Sequence, residues 1–186
     1  MQDLKIFIAE KLDISRDYSP NYNYHPTTKI DLKNLLIDLV EERGNNGDFN
    51  DIDTSKIKDM SSLFDLLPKF NGDVSRWNTS RVEYMDGMFE FCEVFNCDIS
   101  KWDVRKVETM GMMFHGAKKF NQPIGKWQTD SLTSMHHMFW FAKDFNQDIS
   151  KWNVNKVTNN KYAFVKSAIE NKLNYQPNFK YSNIIC

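Results

Sequence analysis

The residue types able to do chemistry are present in this chain but do not converge. His115, His136 and His137 are the histidines nearest one another. Adjacent histidines on a helix diverge by about 100°, and neighbouring helices sit about 8–10 Å apart, too far to share an ion without a third close ligand. No Gly-rich phosphate loop, His-Glu-x-x-His or Cys-x-x-Cys run occurs. Ser75, Ser100 and Ser150 recur at equivalent places in a template, so turn hydrogen bonding is their simplest role. A hydrolase with a scattered site is the weakest functional reading. The expectation is a protein that is not an enzyme, with no metal and no cofactor.

Charge and aromatic character, by contrast, recur at a fixed step. Arg76, Lys101, Lys126 and Lys151 form one cationic column. Lys56, Arg81, Lys106 and Lys156 form a second, broken at Ser131. Asp73, Asp98 and Asp148 lie three residues before the first column, so solvated ion pairs are the simpler reading and an acidic protein partner the next; nucleic acid comes last. If the chain is helical here, positions 90, 115 and 140 point away from the core, which places Glu90, His115 and Trp140 outside. Leu66, Phe91, Gly116 and Phe141 flank them, and His136 lies on the same outward half. A tryptophan beside a phenylalanine at a surface has the composition of a binding hot spot; intramolecular cover is the competing explanation. The candidate partner-binding residues are therefore Trp140, Phe141, Phe91 and His136, with Arg76, Lys101, Lys126, Lys151, Arg81 and Lys106 as the rival epitope.

The elements that must carry these columns follow from a 25-residue interval. Trp77, Trp102, Trp127 and Trp152 keep it. So do Phe70, Phe95, Phe120 and Phe145, each followed by asparagine, and Met60, Met85, Met110 and Met135. A period in this range marks units that cannot bury an apolar face alone and must stack. Within a unit, Met85, Met88, Phe89, Cys92 and Phe95 have helical spacing, and a segment such as Ile149–Val154 has strand composition. The predicted fold is an α/β solenoid, a leucine-rich-repeat-like stack of short parallel strands and helices with an N-terminal helical cap.

Residues 1–47 form that cap and a Tyr/Pro-rich strap, 48–165 hold four to five units, and 166–186 form a C-terminal cap. An amphipathic helix is expected over 3–12 and a loop over 15–28. Thr28 and Asp31 fit a capping box for a second helix that buries Leu32, Leu35, Leu36, Leu39 and Val40 and stops at Gly44-Asn45-Asn46-Gly47. Net charge is −1, so no global field favours nucleic acid or an anionic membrane. Three cysteines make no disulfide framework, and Cys92, which stands where other units have Leu67, Ala117 and Ala142, reads as a small buried apolar residue. The N-terminal residues do not read as a secretory signal and no stretch is long enough to span a bilayer, so the expectation is cytoplasmic.

The run Phe-Asn-Gln-(Asp/Pro)-Ile-(Ser/Gly)-Lys-Trp, followed by Met-x-x-Met-Phe, resembles the BspA-like leucine-rich repeats over residues 48 to about 165. That resemblance implies a bacterial, protein-binding solenoid, often at the cell surface, with no catalytic residues. The functional expectation is a non-catalytic protein–protein interaction module using one face, as a monomer or weak dimer, with an exported adhesin or effector-like protein acting on host molecules as the alternative.

Overall fold

The computed structural model describes residues 22–179. The expected helix over 3–12 and the first part of the strap lie outside the described residues, as does the end of the C-terminal cap. The second predicted helix is present as α1 (Lys29–Arg43). Thr28 adopts an extended backbone and its side chain accepts from the Asp31 N–H, while the Asp31 carboxylate accepts from the Thr28 N–H. Two of the orphan donors of the first turn are thereby satisfied reciprocally. Gly44, at φ 75°, ends the helix with a left-handed residue that lets its N–H reach back to the Val40 carbonyl. Leu32, Leu35, Leu36 and Leu39 are fully buried beneath it.

The α/β solenoid of strands and helices does not form. Among the described residues there is no strand and no sheet, α1 is the single α-helix, and two short 3-10 turns stand at Ile124–Lys126 and Leu173–Tyr175. Strand pairing shrinks to isolated parallel bridges, of which Tyr84↔Thr109, Thr109↔Ser134 and Ser134↔Asn159 continue one column. The segments of strand composition are consecutive turns. Asp148 Oδ1 accepts the Ser150 N–H and Asn153 Oδ1 accepts the Asn155 N–H, while the Trp152 N–H closes on the Ile149 carbonyl and the Val157 N–H on the Val154 carbonyl. Aspartate and asparagine offer the backbone a local acceptor two residues on, and that competes with a ladder.

The expected helices are replaced for a different reason. Gly87 and Phe91 have φ of 59° and 56°, and the same left-handed pair recurs at Met112 and Gly116, His137 and Phe141, and Tyr162 and Lys166. Two left-handed residues four apart cannot continue a right-handed helix. Alternate N–H groups then leave the segment altogether: those of Met85, Gly87, Phe89 and Phe91 donate to carbonyls 24 residues on, at 2.7–3.0 Å. The remaining donors close three-residue turns, such as Cys92 N–H to the Phe89 carbonyl. Apolar residues at helical spacing did reach the interior, because that spacing reports which side faces in and says nothing about where the backbone bonds go.

The core is a set of aromatic files. Phe89, Phe114 and Phe139 stack with centroid steps of 5.9 and 5.6 Å, and Phe95, Phe120 and Phe145 with steps of 5.9 Å. The buried tryptophans each carry a polar handle that the fold uses: the indoles of Trp77, Trp102, Trp127 and Trp152 donate to carbonyls 28 residues earlier. An asparagine file runs alongside, in which the side-chain oxygens of Asn71, Asn96 and Asn121 accept the N–H groups of Asn96, Asn121 and Asn146. Cys92 is fully buried, its thiol directed at the Phe64 and Leu67 carbonyls, and burial pushes it up to about 12.

Candidate interaction faces

Left-handed turns build the first face. At φ of 54–59° the residues 91, 137, 141 and 162 turn their side chains onto one surface, where a continuous helix would have dispersed them. His115 Nδ1 lies 2.9 Å from Glu90 Oε1, and its ring stacks on Trp140 at 4.9 Å with a 10° interplanar angle. Phe91 tilts against His115 at 4.6 Å. Trp140 in turn touches His137 at 4.9 Å, Phe141 at 5.4 Å and Tyr162 at 6.2 Å. Lysines border the far side: Lys166 stands 4.3 Å over the Phe141 ring and Lys161 4.9 Å over the Tyr162 ring, within cation–π range.

Two glycines make room for this surface. The Phe91 ring lies so close over Gly116 that a Cβ there would meet it at 2.6 Å. The His136 ring occupies the corresponding space at Gly111, and its Nδ1 is 3.1 Å from Ser134 Oγ. Beneath it, Asp86 accepts the Gly111 N–H at 2.8 Å and is also in contact with the Thr109 hydroxyl.

The face remains partly open. Phe91 is 53% and Tyr162 39% exposed, and Leu66, 25 residues before Phe91, is 65% exposed. Trp140, Phe141, His136 and His137 are half-buried. His137 Nδ1 and Trp140 Nε1 are shielded yet have no hydrogen-bond partner. Desolvation, together with His136, His115 and Lys161, holds the His137 imidazole below its usual pKa.

The second face carries the cations. Arg76, Lys101, Lys126, Lys151, Arg81 and Lys106 are all exposed. The pairing expected with Asp73, Asp98 and Asp148 is absent at salt-bridge distance. Those carboxylates accept the N–H groups of Ser75, Ser100 and Ser150 at 2.9 Å, and these bonds help to hold them below the usual carboxylate range. Arg76 instead stands 3.5 Å from Asp48. It borders an open cleft of about 600 Å³ with Tyr22, Arg43, Asn50 and Asp51, where Arg43 grips Asp51 at 2.7 and 3.1 Å. Lys126 and Lys151 flank a recess of about 280 Å³ with Gln147 and Asp148.

The structure thus brings Phe91, Trp140, Phe141 and His136 into one neighbourhood and leaves the basic columns elsewhere. Tyr162, Lys161 and Lys166 complete the aromatic face and were not singled out from the sequence. Tyr162 stands 25 residues after His137, so extending the column by one step would have found it. The Glu90–His115 pair had the same signal. Among the described residues no group of three His, Cys, Asp or Glu side chains is arranged to hold a metal ion, and no helix is long and apolar enough to cross a membrane. No curated protein and no solved structure matches the chain. A family described as "Mycoplasma protein of unknown function, DUF285" matches residues 33–140 and again residues 92–179, and the chain belongs to that family.

Proposed function

We propose that this protein is a non-catalytic protein-interaction module that binds its partner through the aromatic face centred on Trp140. The observation that carries this reading is the unbroken, half-open series Phe91–His115–Trp140–Tyr162, with Phe141 and His137 packed against Trp140. Large rigid aromatics deliver contact area at little entropic cost, which is why they dominate binding hot spots. The cations then steer encounter more than they hold the complex. The finer kinship, with BspA-like surface proteins, belongs to this proposal and rests on the methionine, tryptophan and Phe-Asn pattern.

The test uses three baits: the wild type, Trp140→Ala/Phe141→Ala, and a charge-reversed Arg76→Glu/Lys101→Glu/Lys126→Glu/Lys151→Glu form. A protein held by the wild type is purified and titrated against all three. Affinity lost in the aromatic variant and largely kept in the charge-reversed one supports the reading. The opposite pattern overturns it in favour of the basic columns.

A further inference from the structure

The run after each bridge residue sends alternate backbone N–H groups forward to the next segment. The last described set is Met135, His137, Phe139 and Phe141, which donate at 2.8–3.1 Å to carbonyls 24 residues on. One step further, the donors are Asn160, Tyr162, Phe164 and Lys166. Among the described residues none of these four N–H groups has an acceptor, backbone or side chain. The result is a row of parallel donors at every second residue, the hydrogen-bonding signature of a sheet edge in a chain that has no sheet.

The opposite end is closed. α1 lies across it, Lys33 Nζ donates to the Ser62 carbonyl at 3.1 Å, and Lys29 and Lys33 pair with Asp59 and Asp65 at 2.7 and 2.6 Å. Carbonyl and carboxylate oxygens at that end are met by helix lysines. At the C-terminal end the polarity is reversed: the four donors have no acceptor among the described residues, Phe164 lies against Phe179 at 6.4 Å, and the charges around them are positive. Residues 156–172 contain Lys156, Lys161, Lys166 and Lys172 against Glu170 alone, a net of 4 − 1 = +3. None of these lysines lies within salt-bridge distance of a described carboxylate.

We propose that this edge accepts an extended acidic peptide segment of a partner protein, laid alongside residues 160–166. Its alternate carbonyls would accept the four N–H groups, and its carboxylates would meet Lys161 and Lys166. Backbone pairing supplies the register, as in other cases of strand addition, and the lysines select for acid. A second copy of this chain is a poor occupant. Using the same edge it would oppose donors to donors, and its other edge is under α1. The site adjoins the aromatic face, and Tyr162, Lys161 and Lys166 border both.

The test is amide hydrogen exchange by NMR on the full chain, with a blocked peptide alternating glutamate and valine as probe and its lysine–valine counterpart as control. The expected result is fast exchange at Asn160, Tyr162, Phe164 and Lys166 in the free protein, slowed at least ~10-fold at saturation by the acidic peptide only. Lys161→Glu/Lys166→Glu should weaken the acidic peptide by ~10-fold or more. Phe91→Ala, on the aromatic face but packed on His115 and away from residues 160–166, should leave its affinity unchanged, which separates this site from the aromatic face. Three results overturn the proposal: protection of the four amides already in the free protein, which means the chain closes its own edge; protection that rises with protein concentration, which means a second copy; or no protection by the acidic peptide.

Discussion

Trp102 is 4% exposed and donates its indole N–H to the Val74 carbonyl at 3.1 Å, whereas Trp140 is half-buried and its indole N–H has no partner. Both are stacked on a neighbour from an adjacent segment: Trp102 on Trp77 at 6.3 Å and Trp140 on His115 at 4.9 Å. Stacking therefore does not distinguish them. What differs is whether the polar end of the ring is used within the chain. In the inner file every indole bridges two segments, so the tryptophan is both filler and fastener. In the outer file the ring lies on a bed of other aromatics with its donor unspent. The inner arrangement is the one expected of a residue that holds the fold, and the outer one of a residue held in readiness for something else.

The difference predicts unequal consequences of truncation. Trp102→Ala removes a buried ring, opens a cavity between Trp77 and Phe89, and leaves the Val74 carbonyl with the Trp77 N–H but without the indole. It should destabilise by ~3–5 kcal/mol in urea or thermal unfolding. A loss below ~1 kcal/mol would show that the inner file is not a packed core.

The asparagine file sharpens the comparison from the polar side. Asn96 Oδ1 accepts both the Asn121 N–H at 2.9 Å and Gln122 Nε2 at 2.9 Å, and Asn96 is itself exposed. Asn96→Ala leaves a backbone donor without its partner but open to water, so the expected loss is ~1 kcal/mol, measured as a shift in the urea midpoint at constant slope. A loss as large as that of Trp102→Ala would mean that the fastening bonds, and not the aromatic files, dominate stability.

The parts legible in the sequence are those fixed by side-chain burial or by one local hydrogen bond. Thr28 and Asp31 announce their helix because a capping box is a local device. Trp102, Phe95 and Cys92 announce their burial because only stacking can hide them all. The secondary structure of the repeating segments was not legible. Met85, Met88, Phe89 and Cys92 have the spacing of a helix, yet the chain between them turns left-handed at Gly87 and again at Phe91. Glycine could have warned of the first turn; nothing in a phenylalanine warns of the second, because a bulky residue takes positive φ only when its surroundings impose it. The strands failed likewise, since Asp148 and Asn153 capture the N–H groups that a ladder needs. For the aromatic face, column logic reached Trp140 and Phe141. It stopped one step short of Tyr162, which stands 25 residues after His137 in a unit where asparagine replaces the methionine at position 160.

Trp140→Ala carries a smaller expected effect. Truncation loses contacts with His115, His137 and Tyr162 but also removes a shielded N–H that has no acceptor, and these act in opposite directions. The net change in stability should be ~1 kcal/mol or less by thermal unfolding. A loss near that of Trp102→Ala would mean that the outer file is structural, and the reading of it as a binding face would fall.

The smallest effect is a pH dependence confined to the outer file. The folded chain holds the His137 pKa below its usual value, so the unfolded chain takes up the proton first as pH falls. The contribution of His137 is therefore fully present above the ordinary imidazole range, near pH 6.5. It is lost progressively as pH falls through that range towards the lower, folded-state value. His137 has φ of 54°, so His137→Asn is the suitable control, because asparagine tolerates the left-handed region and does not titrate there. The wild type should lose slightly more stability than His137→Asn between pH 7.5 and 5.5. Trp140 lies 4.9 Å from His137, so the same protonation should alter tryptophan emission over that interval. The inner tryptophans have no titrating neighbour among their stacked partners, and Trp140→Ala should abolish the change. Emission that still titrates without Trp140 would place the pH response in the inner file, and the division between the two files would not hold.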